Sequence, residues 1–192
     1  MKRILIIQGH PDPKSGHFVQ ALGSAYQRGA RNAGHVCKRI DVARLDFPLL
    51  RSAEEWKFRE PPADIREAQA ELVAAEHVVI VFPLWLGDMP AVLKGFFEQL
   101  LRPGFAISKK ARNPFAAGLL KGRSAHIVVT MGMPSFFYRL FYGAHSLKSL
   151  KQAMEFCGMK PVRTTVIGMV EAKREARERW LSRLFALGRK AG

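Results

Sequence analysis

The feature that most constrains the fold is an uninterrupted apolar run from Val78 to Phe82, which is followed by a turn and a helical pattern. A run without polar alternation is typical of a strand covered on both faces, and therefore of a central strand in a parallel sheet. The run ends at Pro83, and Pro90 stands where the first turn of a helix is expected. This order predicts a ligand-facing turn, because ligands bind beyond the carboxyl ends of strands in open α/β sheets.

The rest of the chain repeats the alternation of strand and helix. Further strands are predicted at Arg3–Gln8, Val36–Val42, Ala125–Thr130 and Thr164–Met169. Helices are predicted from a Ser15 N-cap to Gly34, over Asp64–Glu76, after Pro90, over Ser146–Phe156 and over Glu171–Leu187, with a long loop over Ala43–Pro62. Right-handed crossovers leave few topologies for five parallel strands, and the order 2-1-3-4-5 is the commonest doubly wound one. We therefore predict an α/β, flavodoxin-like sheet with helices on both faces, in a single domain over residues 1–192.

Composition narrows the class of protein further. A chain of 192 residues is long enough for one substantial core. It shows no signal-peptide pattern and no apolar run that approaches a membrane span, so we expect a cytoplasmic protein without a membrane span. The cysteines, Cys37 and Cys157, lack metal-site or redox spacing and are predicted to be reduced and packed, and no metal site is predicted.

Positive charge is concentrated in one part of the chain. The net charge is +15, and no acidic residue occurs between Glu98 and Glu155. A basic field of this kind raises the encounter rate with anions, which could be nucleotides, nucleic acid or an acidic membrane surface. A solvated basic surface without a dedicated partner is the alternative, and charge alone does not decide between them.

Three loops follow the first, third and fourth strands and should open on the same edge of the sheet. The first loop lacks both G-x-G-x-x-G and the P-loop lysine pattern, which disfavours a dinucleotide-binding Rossmann domain and an NTPase. It leads instead into a helix amino terminus, where unpaired amides and the helix dipole favour a phosphate. The second loop offers Trp85, and the third offers Thr130 and Gly132. A planar, polar-edged heterocycle with a phosphate tail would suit such a pocket.

Several blocks of sequence resemble the flavodoxin-like NAD(P)H:quinone oxidoreductases. The most specific block is Met89-Pro90-Ala91-Val92-Leu93-Lys94-Gly95 with the preceding Pro83-Leu84-Trp85. Others are His10-Pro11-Asp12-Pro13 with Ser15 and Phe18, Pro103-Gly104-Phe105-Ala106, Thr130-Met131-Gly132, Gly143-Ala144-His145 and Phe156-Cys157-Gly158. The resemblance covers nearly the whole chain.

The resemblance implies a flavin-dependent reductase that is usually a homodimer with its active site at the subunit interface. The implied contacts to the phosphate tail are His10, Ser15, His17 and Phe18. The implied contacts to the isoalloxazine ring are Pro83, Leu84, Trp85 and Leu86 on one side and Thr130, Met131, Gly132 and Tyr138 on the other. Tyr138 and His145 match the catalytic positions thought to steady charge on the reduced flavin.

The resemblance also implies a reaction of the ping-pong type. NAD(P)H would give a hydride to flavin N5 and leave, and a quinone or similar two-electron acceptor would take its place. FMN is favoured over FAD, because no long tail follows the last predicted helix. The alternative from another class is a regulatory flavoprotein that docks on a cation-efflux transporter or another acidic partner. No motif supports a nucleic-acid partner.

Overall fold

In a computed structural model of the protein, five parallel strands form one sheet in the order β2-β1-β3-β4-β5, as predicted. The structure describes residues 1–111, 113, 117–171 and 173–191. The strands are β1 (Arg3–Gln8), β2 (Val36–Asp41), β3 (His77–Pro83), β4 (Ser124–Thr130) and β5 (Val162–Ile167). The helices are α1 (Phe18–Asn32), α2 (Ala53–Phe58), α3 (Ala63–Ala74), α4 (Ala91–Leu100), α5 (Ser135–Leu140), α6 (His145–Phe156) and α7 (Arg174–Lys190).

The sheet separates two apolar cores because neighbouring residues of a strand point to opposite faces. Ile4 and Ile6 contribute to the core under α1 and α7, while Leu5 and Ile7 contribute to the core under α3, α4 and α6. Every residue of the run from Val78 to Phe82 is at most 1% exposed. This burial on both faces explains why the run has no polar alternation and confirms β3 as a central strand.

Two sequence expectations about local structure are wrong. The N-cap of α1 is His17 and not Ser15, and the helix begins at Phe18. The predicted loop over Ala43–Pro62 is not irregular throughout. It includes the last two residues of a 3-10 turn at Val42–Arg44 and the whole of the short helix α2. The N-cap residue of α2, Ser52, accepts a hydrogen bond from the Glu55 amide at 3.1 Å. α2 contributes no buried residue, which is why hydrophobic periodicity did not reveal it.

The other sequence expectations on local structure need only small changes. The predicted strand and helix boundaries agree with the structure to within a few residues. Both cysteines are free and buried, as predicted. Within the described part of the chain, no helix is both long enough and apolar enough to cross a membrane.

Candidate active site

Three loops meet at the carboxyl edge of the sheet. The backbone hydrogen bonding of the sheet continues one residue beyond β1 and β3. Gly9 N donates to Val81 O at 2.8 Å, and Leu84 N donates to Thr130 O at 2.7 Å. Met131 N in turn donates to the carbonyl of the last β5 residue at 2.9 Å. The loops after β1, β3 and β4 therefore begin side by side, which places the sequence-predicted loop residues at one edge.

The first loop is organised by two histidines and an aspartate. The rings of His10 and His17 are stacked with centroids 3.8 Å apart, and His17 Nε2 lies 2.9 Å from Asp12 Oδ2. His10 Nδ1 accepts a hydrogen bond from the Asp12 amide at 3.1 Å, so its Nε2 carries the proton of the neutral ring. Burial, and then the neighbouring His17, lower the pKa of His10. This favours a neutral His10 that donates a hydrogen bond without adding charge.

The amino terminus of α1 supplies backbone donors. The first amides of a helix have no partner within it, and the side chain of the N-cap residue His17 makes no capping hydrogen bond. Phe18 and Val19 therefore present amides at the positive end of a helix of 15 residues, next to His17. Ser15 is exposed on the loop before this terminus. These groups can hold a phosphate, as the sequence predicted.

Gln8 is a residue that sequence reasoning did not assign to the site. It is the last residue of β1, it is only 1% exposed, and neither Oε1 nor Nε2 has a hydrogen-bond partner in the described parts of the chain. Gln8 is also one of the residues that line a cavity of about 100 Å³, with Ser15, Gln20 and Arg44 among others. An unpaired buried amide is costly, so a polar partner that reached Gln8 from this cavity would stabilise it. A glutamine at the carboxyl end of an otherwise apolar strand was the available signal.

The second loop is a tight turn that projects into solvent. Trp85 and Asp88 exchange two backbone hydrogen bonds of 2.7 and 2.9 Å, and Leu86 and Gly87 between them have φ of 49° and 81°. Two successive positive φ values define a type I′ turn. Trp85 is 52% exposed and its ring meets His10 edge-on at 6.1 Å, so the second loop contacts the first.

Leu86 is strained by this turn. A leucine in the left-handed region costs about 1 kcal/mol or more, and its fully exposed side chain recovers nothing by packing within this chain. We expect Leu86→Asn to raise the free energy of unfolding by about 1 kcal/mol, because asparagine tolerates this conformation and Asn-Gly favours a type I′ turn. Denaturant unfolding of the wild type, Leu86→Asn and the control variant Leu86→Ala measures this gain. Equal stability of the two variants would contradict it.

The third loop contains residues with very different exposure. Thr130 is 4% exposed at the end of β4, and Met131 is 3% exposed with its side chain in the core, so only its backbone faces the edge. Gly132 is exposed, and an added Cβ would meet nothing within 4 Å. Gly132 therefore leaves open space in which a ligand can approach the backbone.

The two predicted catalytic residues are placed differently. Tyr138 is completely buried, and its hydroxyl accepts a hydrogen bond from the Leu147 amide at 3.3 Å, so it supports the first turn of α6. Burial raises its pKa. His145 is exposed at the first position of α6. Tyr142, which the sequence prediction did not include, approaches the Trp85 turn, since a Cβ on Gly87 would lie 3.4 Å from its ring.

Asp88 fixes the turn against α6. Its Oδ1 accepts hydrogen bonds from the Met89 amide at 2.6 Å and from the Ser146 hydroxyl at 2.5 Å. Because Ser146 lies in the first turn of α6, this contact connects the second loop to the helix that follows the third. The described residues include no cluster of three or more His, Cys, Asp or Glu that could hold a metal ion.

The residues fit a nucleotide-like ligand with one anionic end and one planar end. His10, His17 and Trp85 are in direct ring contact, Ser15 shares a cavity with His10, and Pro83 and Leu84 lie beside Thr130. The side chains of Met131 and Tyr138 are not at the surface of the site. The unpaired Gln8 amide and the open space beside Gly132 are the two features that such a ligand would complete.

This sheet order and this loop cluster define a flavodoxin-like α/β protein. A family model described as having a flavodoxin-like fold, Flavodoxin_2, matches residues 2–184. The chain therefore belongs to this family, that of the flavodoxin-like NAD(P)H:quinone oxidoreductases, as the resemblance indicated.

Known relatives agree with the family. The chain is 27% identical over 169 residues to an uncharacterized NAD(P)H oxidoreductase of Haemophilus influenzae, covering 85% of this chain and 82% of that protein. It is 31% identical over 133 residues to an FMN-dependent NADH:quinone oxidoreductase of Leptothrix cholodnii, covering 64% of this chain and 61% of that protein. An NAD(P)H:quinone oxidoreductase structure from Methanothermobacter marburgensis matches with a TM-score of 0.77 and 25% identity, over 98% of this chain and 96% of that chain.

Proposed function

We propose that the protein is an FMN-dependent NAD(P)H oxidoreductase that reduces a quinone or a similar two-electron acceptor. The observation that carries the proposal is the convergence of an anion site and a half-exposed Trp85 at one edge of a flavodoxin-like sheet. Supporting observations are the names of the relatives, which include NAD(P)H oxidoreductases and an FMN-dependent quinone oxidoreductase.

The phosphate of FMN would bind at the first loop. The amide of Phe18, the Ser15 hydroxyl and the His10 Nε2 proton are the proposed donors, and the dipole of α1 favours the negative charge. His17 would contribute its ring through the stack on His10, since its Nε2 is bound to Asp12. Gln8 is added to this set because its amide is buried without a partner among the described residues, in the cavity that Ser15 also lines.

The planar ring of FMN would lie between the second and third loops. Pro83, Leu84, Trp85 and Leu86 would flank it on one side, with Thr130 and Gly132 on the other. The side chains of Met131 and Tyr138, which the resemblance also implied, are buried and would lie behind this second side. Trp85 offers an aromatic surface, while Gly132 leaves open space in which the ring can approach the backbone. Bound there, FMN would supply the two-electron redox chemistry that connects NAD(P)H to the acceptor.

His145 and Tyr138 are the proposed groups that stabilise negative charge at the ring. His145 stands at the positive end of α6, where a helix dipole favours an anion. Tyr138 would act indirectly. Its hydroxyl accepts a hydrogen bond from the Leu147 amide and so positions the first turn of the same helix. A ping-pong order, in which donor and acceptor use the space above Trp85 in turn, is part of this proposal.

Turnover and flavin affinity test the proposal together. Under anaerobic conditions, we expect the FMN-loaded protein to oxidise more than one equivalent of NADH or NADPH per flavin only when a soluble quinone is present. Trp85→Ala is expected to weaken FMN binding about tenfold, because an aromatic stacking contact is worth roughly 1 kcal/mol or more. Trp180→Ala on α7, which packs against the core under α1, is the control and should bind FMN normally. FMN-loaded protein without quinone-dependent oxidation would contradict the proposal.

We also propose that the protein acts as a homodimer. An apolar groove of about 410 Å³ runs between α4 and α6 and is lined by Phe97, Leu101, Ile107 and Phe156 among others. A second copy is the occupant that the resemblance implies. The relatives' names give no support to the alternative of a regulator of a cation-efflux transporter. Cytoplasmic location and the lack of a nucleic-acid partner stay predictions.

A further inference from the structure

The loop that is proposed to hold the FMN phosphate has little net positive charge of its own. His10 is favoured in its neutral form, and His17 is bonded to Asp12. Hydrogen bonds from the Lys14 amide and from His17, and also the charge of Lys14, lower the pKa of Asp12, so this carboxylate is negative at neutral pH. The amides and the dipole of α1 favour an anion, but a phosphate also gains from a charge-assisted bond to a cationic side chain.

Two arginines near the end of β2 line the cavity beside this loop, and they differ in their partners. Arg39 is occupied, because its Nε and Nη2 lie 2.8 and 2.7 Å from Asp41 Oδ1 and its Nη1 donates to the Ser24 hydroxyl at 3.0 Å. Arg44 is exposed, and among the described residues it forms no ion pair with a carboxylate. The charge of Arg44 is therefore available to a ligand.

The fold brings Arg44 to the first loop through the 3-10 turn that follows β2. The turn begins at Val42, which is completely buried in the core under α3 and α4, and Leu45 N donates to Val42 O at 3.2 Å. Arg44 Nη2 donates to the carbonyl of Pro13 at 3.3 Å, two residues before Ser15. A guanidinium has five N–H donors, so this single bond holds Arg44 against the loop and leaves donors for an anion.

The cavity between Arg44 and the first loop has the size of a phosphate group. Its volume is about 100 Å³, roughly the space of three water molecules in the liquid. Pockets that enclose a whole drug-sized ligand are larger, at about 300–1,000 Å³. Ser15 lines the same cavity, as does Gln8, whose buried amide has no partner among the described residues. Polar side chains and a cation thus border a space that suits one phosphate.

We propose that Arg44 binds the phosphate of FMN and makes the protein select FMN over riboflavin. This inference rests on the proposed function, since it adds a binding residue to the same cofactor site. A guanidinium matches a phosphate with two parallel N–H···O bonds, which an ammonium group does not. Riboflavin has the same ring system and ribityl chain as FMN but no phosphate, so it gains nothing from Arg44.

Equilibrium binding of FMN and of riboflavin to the flavin-free protein tests the proposal without turnover. The ratio of the two dissociation constants, riboflavin over FMN, isolates the part of the affinity that depends on the phosphate. Arg44→Gln is expected to lower this ratio about tenfold, because the lost hydrogen bonds join two charged groups. Arg44→Lys keeps the charge without the paired donors and should give an intermediate ratio. Riboflavin affinity should stay that of the wild type in both variants.

The matched control is Arg28→Gln, which removes the same charge from an exposed position toward the C-terminal end of α1. It should keep the wild-type ratio. The proposal is overturned if Arg44→Gln keeps that ratio, or if Arg28→Gln lowers it equally, since the effect would then come from net charge. Tight FMN binding with an unchanged ratio in Arg44→Gln contradicts this inference alone. A wild type that binds neither flavin contradicts the proposed function as well.

Discussion

Acidification from about pH 7 to about pH 5 is expected to lower the free energy of unfolding by about 4 kcal/mol through two histidines, His77 and His126. Burial lowers the pKa of each from 6.5 to about 4. A histidine with a depressed native pKa binds more protons in the unfolded chain. Its contribution to stability is therefore complete above pH 6.5 and is lost as the pH falls from there to about 4, at roughly 2 kcal/mol each by pH 5.

The surroundings of the two rings explain why protonation is costly. His77 and His126 are 1% and 3% exposed, and each lies with its centroid 6.3 Å from that of the buried Tyr26 ring. His77 Nδ1 is 2.7 Å from Ser124 Oγ, and His126 Nε2 is 2.8 Å from Thr165 Oγ1. The second nitrogen of each ring has no hydrogen-bond partner among the residues described. A charge there would be buried without compensation.

The variant His126→Gln isolates one histidine, because a glutamine amide can still reach Thr165 while it does not titrate. Its free energy of unfolding should fall by about 2 kcal/mol less than that of the wild type between pH 7 and pH 5. Carboxylates titrate in both proteins and cancel in this comparison. NMR titration of the wild-type imidazole protons gives an independent check. Ordinary pKa values for both rings, or an unchanged pH dependence in the variant, would contradict the account.

The substitution Gly29→Ala is expected to lower the free energy of unfolding by about 3 kcal/mol, although alanine favours a helix by about 1 kcal/mol over glycine. Gly29 lies where α1 crosses α7, and an added Cβ would collide with the backbone oxygen of Phe185. Gly188 on α7 is the reciprocal position, since its Cβ would collide with the backbone oxygen of Tyr26. Backbone oxygens in two packed helices cannot move aside as a flexible side chain can.

Denaturant unfolding of Gly29→Ala beside Gly132→Ala measures this effect. A methyl group added at Gly132 would have no neighbouring atom within 4 Å, so the same substitution should be nearly neutral for folding there. Gly188→Ala is expected to behave like Gly29→Ala. If all three variants unfold at the same denaturant concentration, the close crossing of α1 and α7 is not a feature of the protein.

The sheet could be predicted from the sequence because each strand has a local signal. β1, β3 and β4 are apolar runs that need cover on both faces, and the right-handedness of the crossovers then restricts their order. The turn after β3 was equally visible, since Pro83 ends the strand and Gly87 permits a positive φ. α2 had a signal of another kind, the sequence pattern Ser52-x-x-Glu55, which periodicity does not detect. In the structure Ser52 Oγ accepts from the Glu55 amide, and the Glu55 carboxylate accepts from the Arg51 amide.

Side-chain direction at the site could not be predicted in the same way. Tyr138 lies in an aromatic-rich segment where every residue is a candidate for the core, and only the helix phase decides that it points inward while its neighbours point outward. Gln8 could not be assigned to the site because the apolar residues before it are typical of a buried strand. The contact between His10 and His17 depends on how the loop between β1 and α1 folds, which the loop sequence does not specify.

The absorption spectrum of the purified protein tests the central proposal most directly. The protein is expected to be yellow, either as isolated or after addition of FMN, with a flavin band that NADH or NADPH bleaches under anaerobic conditions. Addition of a quinone should then restore the band. Colourless protein that binds no added FMN would contradict the proposal, as would bound flavin that neither NADH nor NADPH reduces.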